Sequence, residues 1–178
     1  KAKLDKDAAK KFLEQHLAHE YFYHCREWPY KQVKPRIIAE KFMKDSKEQT
    51  EEGLTDYKFF CFDGEPKAMF IATDRAKANT ETKFDFFDME FNHLPFTNGH
   101  PNSDKAIKKP EQFELMIDLA KKLSQGLPQV RVDFYESEGK IYFGELTFFH
   151  WGGFVPFEPK EWDEIFGEWI QLPNQSKK

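Results

Sequence analysis

The sequence predicts an α+β fold, a mostly antiparallel sheet packed with helices, and three observations predict it. Val130 to Glu136 and Lys140 to Thr147 are two runs of alternating β-branched and aromatic residues around Ser137-Glu138-Gly139, the pattern of a β-hairpin. Tyr57 to Phe62 and Lys67 to Ala72 flank Asp63-Gly64-Glu65-Pro66, where Asp-Gly supplies a second turn. Helical stripes stand before, between and after these hairpins. The order helix, strand, hairpin, helix, hairpin, helix belongs to an α+β domain.

Asp5 is placed to cap a first helix, with Asp7 in its first turn complementing the dipole. Ala8, Ala9, Phe12, Leu13, Leu17, Tyr21 and Phe22 form its stripe, and Pro29 ends that region. Arg36 to Met43 follows as a short, largely apolar strand, and residues 44 to 55 read as a polar connector. After the first hairpin, the pattern dissolves from Asp74 to Lys109 into a long irregular excursion punctuated by Asn, Pro and Gly. Loops of that length are usually functional or mobile. Pro110 opens an amphipathic helix whose stripe is Phe113, Met116, Ile117, Ala120 and Leu123, with Gly126 beyond its end. Gly152-Gly153 and Pro156 break the chain after the second hairpin, and a terminal helix from about Pro159 carries Trp162, Ile165, Phe166, Trp169 and Ile170.

Composition excludes several classes of function. A net charge of −4 gives no global basic field, which disfavours nucleic acid as a partner. No apolar run approaches a membrane span or a secretory signal, so a cytoplasmic protein is expected. With 20 Phe, the core should be built from aromatic rings. Cys25 and Cys61 lack paired-motif spacing and read as reduced structural thiols. The six histidines form no ligand motif, and neither a phosphate-binding glycine loop nor a serine or cysteine nucleophile motif is present.

Register decides what the second hairpin carries. A three-residue loop pairs Glu136 with Lys140 and puts Arg131, Asp133, Phe143, Glu145 and Thr147 on one face, with Asp133 and Glu145 as diagonal neighbours. A two-residue loop slips the register by one and separates them. On one face, the two carboxylates read either as a Mg2+ site or as a solvated face with Arg131 paired to Glu145. Lys58 and Arg75, near strand ends, read as phosphate-contacting cations or as surface side chains. Asp85-Phe86-Phe87-Asp88 has the wrong spacing for the acidic motif of a glycosyltransferase.

Taken in order, Ile38-Ala39-Glu40-Lys41-Phe42-Met43, Asp56-Tyr57-Lys58-Phe59-Phe60-Cys61-Phe62-Asp63-Gly64, Val130-Arg131-Val132-Asp133-Phe134-Tyr135 and Gly144-Glu145-Leu146-Thr147-Phe148 resemble the TupA-like branch of the ATP-grasp superfamily. Arg26-Glu27-Trp28-Pro29-Tyr30 and Lys34-Pro35-Arg36-Ile37 also suit it. The resemblance implies an ATP-grasp-like fold that holds ATP between two lobes. It further implies carboxylate–amine ligation through an acyl phosphate, in cell-surface polysaccharide biosynthesis. Asp133 and Glu145 would be the Mg2+ ligands, with Thr147 as a neutral oxygen ligand where many relatives have Asn. Glu40, Lys41, Phe42 and Met43 would form the hinge that reads adenine, and Lys58 and Arg75 would face the phosphates. The partner would be a small-molecule, saccharide or peptide acceptor. On this pattern residues 1–43 are a remnant of an incomplete N-terminal lobe, helix plus hinge strand. Residues 44–178 are the C-terminal lobe with its metal-binding hairpin, so the chain reads as the C-terminal portion of such an enzyme. The competing readings are a non-catalytic nucleotide- or saccharide-binding module and, further off, a glycosyltransferase.

Overall fold

A computed structural model describes residues 4–41, 43, 54–74 and 81–172. The chain divides into two units, Lys1–Phe42 and Met43–Lys178. In the first unit, helix α1 spans Lys6–Leu17, and the Asp5 carboxylate accepts from the backbone N–H groups of Asp7 and Ala8. The predicted stripe stops at Leu17. A separate turn, α2 at Phe22–Cys25, ends at Arg26 in the left-handed conformation. A 3-10 segment, Trp28–Gln32, follows with Pro29 at its start, where a missing N–H costs nothing. Lys31 lies over the rings of Trp28 and Phe22. The strand expected over Arg36 to Met43 is not formed at its described residues, 36–41 and 43; Phe42 lies outside them. An apolar run becomes a strand only against a neighbour that takes its backbone hydrogen bonds, and the first unit has no strand among its described residues.

The second unit is an antiparallel five-stranded sheet in the order β3-β2-β1-β4-β5. Its strands are β1 Asp56–Phe62, β2 Glu65–Thr73, β3 Lys83–Phe87, β4 Gln129–Ser137 and β5 Lys140–Thr147. The β1–β2 hairpin closes through Asp63 and Gly64, both at positive φ, as a two-residue turn that follows the sheet twist requires. Strand β3 lies within the segment expected to be irregular. It pairs with β2 at the sheet edge, and Phe84 to Phe87 are all buried. Asp85 is buried along with the phenylalanines, so both faces of the strand are covered although its first four residues alternate.

The β4–β5 hairpin also departs from the expected register. Ser137 pairs with Lys140, so the loop is the two residues Glu138 and Gly139, both at positive φ. Beyond it Phe134 pairs with Phe143 but Val132 pairs with Leu146, so Gly144 and Glu145 together face Asp133. This bulge adds one residue to β5, a second one-residue shift in the same direction as that of the shorter loop, and two shifts return the side chains to the expected face. Arg131 then pairs with Thr147, and the shared face is recovered by a different route.

Two aromatic-rich cores sandwich the sheet. Helix α3, Phe113–Ser124, buries Phe113, Met116 and Ala120 on one face against Phe59, Met69, Val132 and Phe134. On the other face Phe60, Phe62, Phe70 and Phe86 pack with Phe96, Trp162 and Phe166. Helix α4, Glu161–Glu168, supplies Trp162 and Phe166. Among the described residues no helix is long and apolar enough to cross a membrane.

Candidate functional site

Alternation places Asp56, Lys58, Phe60, Arg131 and Asp133 on the α4 face of the central strands, because Lys58 pairs across from Asp133 and Phe60 from Arg131. The polar members cluster toward one end of that face. Lys58 Nζ donates to Asp133 Oδ2 and lies 3.5 Å from Asp56 Oδ1. Its side chain is 12% exposed, so it is not the strand-end surface lysine of the alternative reading.

Arg131 is the centre of the cluster. Its Nε donates to Asp133 Oδ1 at 2.7 Å and its Nη2 to Asp133 Oδ2 at 2.8 Å, a two-pronged pairing. Nη2 also lies 2.8 Å from both Glu145 Oε1 and Thr147 Oγ1, and Nη1 lies 2.6 Å from His150 Nδ1. Thr147 Oγ1 in turn donates to Glu145 Oε1 at 2.9 Å. His150 belongs to the 3-10 segment His150–Gly153 that follows β5. Its Nε2 lies 2.9 Å from Asn98 Oδ1, and the Asn98 amide donates to the carbonyls of Val155 and Pro156.

The electrostatics follow from these contacts. Burial by itself raises the Asp133 carboxyl, but hydrogen bonding to Arg131 and the charges of Arg131 and Lys58 overcome it and hold the group below its ordinary value. Burial is also the main reason that the His150 imidazole is pushed down to about 3, with Arg131 and Lys58 adding to the effect against Asp133. His150 is therefore neutral at pH 7. By formal charge, three carboxylates, Asp56, Asp133 and Glu145, stand against two cations, Lys58 and Arg131.

The structure thus brings Lys58, Asp133, Glu145 and Thr147 together. Arg131 pairs with Glu145, as the solvated-face reading has it, while also binding Asp133. Glu40 and Lys41 lie in exposed coil of the first unit and Met43 in half-buried coil of the second; Phe42 and Arg75 lie outside the described residues. Asp85 belongs to β3 and accepts from the Ser103 backbone, with His93 beside it. It sits on the α3 face, away from Asp133.

Sequence reasoning missed Arg131, His150 and Asn98 as site members. Arg131 was legible, since residues two apart on a strand share a face. His150 and Asn98, 52 positions apart, meet only through folded loops.

The donor set fits a hard cation of limited protein coordination. Asp133 and Glu145 share a face, the Glu145 side chain is 60% exposed, and carboxylates outnumber cations in the cluster. Among the described residues no three His, Cys, Asp or Glu side chains are placed to hold a metal ion together. Two carboxylates plus substrate phosphate oxygens is the arrangement Mg2+ commonly takes. A family model described as TupA-like ATPgrasp matches residues 1–171. No curated protein and no solved structure gives a significant match.

Proposed function

The chain belongs to the TupA-like ATP-grasp family, and from that premise we propose that it is an ATP- and Mg2+-dependent carboxylate–amine ligase acting in cell-surface polysaccharide biosynthesis. One observation carries the reading: Lys58, Arg131, Asp133, Glu145 and Thr147, from three neighbouring strands, meet at one end of a sheet face.

In the reaction, a carboxylate oxygen of the donor attacks the terminal phosphorus of ATP and ADP leaves. The acceptor amine then attacks the acyl phosphate carbon and inorganic phosphate departs. Lys58 and Arg131 supply cations where phosphate oxygens gain charge, already gathered at one end of the sheet face before the phosphates arrive. Asp133, Glu145 and Thr147 would hold Mg2+, which neutralises phosphate charge when bound. No side-chain nucleophile is required. Glu40, Lys41, Phe42 and Met43 as the adenine-reading hinge, and Arg75 as a further cation, carry over from the family pattern alone. The acceptor is an amine-bearing small molecule, saccharide or peptide.

Titrating a non-hydrolysable ATP analogue with Mg2+ tests the reading. Glu145→Gln, at an exposed position, and the double variant Asp133→Asn with Glu145→Gln should each weaken binding, the double variant by at least about tenfold. Unchanged affinity in both would refute the site. Tight binding of ATP and Mg2+ without phosphate release, in the presence of carboxylates and amines, would favour a binding module. That alternative draws on the Arg131 guanidinium, which already satisfies both oxygens of Asp133.

A further inference from the structure

Arg131 has four hydrogen-bonding partners among the described residues, and three of them, Asp133, Glu145 and Thr147, are the candidate cation ligands. A cation entering between them competes with the guanidinium for the same oxygens. The fourth partner, His150, lies at the opposite corner and bears no such conflict.

Its protonation state follows from its neighbours. Arginine has no acceptor, so the nitrogen that faces Nη1, Nδ1, must present a lone pair. Nε2 then carries the proton and donates to Asn98 Oδ1. The Asn98 orientation is cross-checked by its other end: Nδ2 donates to the carbonyls of Val155 at 2.9 Å and Pro156 at 3.0 Å, which leaves Oδ1 facing the imidazole. Asn98 is buried at 1% exposure. The imidazole packs edge-on against Phe60 at 5.1 Å and beside Phe70 at 5.5 Å, and the Arg131 guanidinium lies over the Phe70 ring. An apolar floor thus supports both groups.

We propose that His150 is a positioning residue acting through Arg131: as the Nε2–H tautomer held by Asn98, it keeps the guanidinium in place when a cation takes the carboxylates that otherwise hold it. The inference rests on the ligase reading for its purpose but not for its geometry. The guanidinium is then a permanent part of the phosphate-facing surface rather than a stand-in displaced by the metal.

Two substitutions separate this role from simple loop anchoring. An asparagine amide reaches the Nδ1 position and a glutamine amide the Nε2 position. His150→Asn keeps an acceptor for Arg131, whereas His150→Gln keeps the tie to Asn98. The 178-residue chain, with labelled arginine, is followed by NMR for the Nη1 protons of Arg131, which are resolved only while rotation of that amino group is hindered. Wild type and His150→Asn should show them; His150→Gln should lose them while the Nη2 protons, held by Asp133, remain. In parallel, Mg2+ with the non-hydrolysable ATP analogue should bind His150→Gln about tenfold more weakly than wild type, and His150→Asn near wild type. The reverse pattern, with glutamine rescuing and asparagine failing, overturns the proposal in favour of loop anchoring. Equal behaviour of the two variants overturns it as well. If wild type fails to bind the nucleotide while the Nη1 signals behave as stated, the ligase reading fails and the positioning of Arg131 stands.

Discussion

Asp133 and His150 sit on either side of one guanidinium, and both make the protein sensitive to acid, in different windows. For Asp133 the folded value lies below the ordinary one near 3.8, because Arg131 and Lys58 outweigh burial. A carboxylate of this kind contributes stability that is full above its unfolded value and is lost as pH falls through the folded one. For His150 burial, with Arg131 and Lys58, lowers the folded value to about 3 from 6.5. Between those two values the unfolded chain binds a proton that the folded chain refuses, so stability again falls as pH falls. The slope from one such histidine approaches about 1.4 kcal/mol per pH unit. Urea unfolding across pH should therefore show His150→Asn flattening the profile between pH 6 and 4, whereas Asp133→Asn flattens it only below about pH 4. At pH 7 Asp133→Asn should also cost about 3–5 kcal/mol, because Lys58 and Arg131 lose their countercharge in a buried setting. A profile in which neither substitution changes the slope would mean that other groups carry the acid sensitivity.

At the scale of the element, the β4–β5 hairpin shows what sequence patterning does and does not encode. The alternation of Arg131, Asp133, Glu145 and Thr147 made the shared face legible. The means of reaching it was not, because Ser137-Glu138-Gly139 suits a three-residue loop as well as a two-residue turn at Glu138-Gly139. The bulge at Gly144-Glu145 left one trace, the glycine itself. A Cβ on Gly144 would lie 3.0 Å from the Asp133 carbonyl oxygen and 3.1 Å from the Tyr135 ring. Gly144→Ala should therefore push the bulge away from β4, at a cost of about 1–3 kcal/mol. Glu145 would move with it, so its interaction with Arg131 should weaken as well. Denaturant unfolding, with nucleotide titration on the same variant, checks both effects. Full stability with unchanged affinity would show that β5 gives way elsewhere. Strand β3 was missed for another reason. Lys83-Phe84-Asp85-Phe86 does alternate, but the run is five residues long and lies amid Asn, Pro and Gly, and its polar Asp85 is buried rather than turned to solvent. The described residues from Arg36 to Met43 show that hydrophobicity alone does not make a strand.

Across the second unit, the sheet separates two aromatic layers of different consequence. Phenylalanine content announced an aromatic core, but not its division, which depends on which side of each strand a ring takes. Phe59 and Phe60 are neighbours in sequence and point to opposite faces. Phe59 is fully buried and packs against Phe113 and Phe134 under α3, in the layer that carries no site residue. Phe60, at 2% exposure, touches Phe70, Phe166 and the His150 ring, in the layer continuous with the charged cluster. Truncating either ring empties a comparable volume, so Phe59→Ala and Phe60→Ala should each cost about 3–5 kcal/mol in urea unfolding. Their effects on the site should differ. Loss of Phe60 removes the wall against which His150 is held and lets water reach the imidazole, so the histidine should regain a titration closer to its ordinary value. Phe59→Ala should leave it low. Histidine NMR titrations of the two variants, at temperatures where both remain folded, give the comparison. If the His150 signals respond equally to both, the layers are mechanically coupled through β1 and the site depends on the whole sandwich; a response confined to Phe60→Ala places the support of Arg131 in the α4 layer.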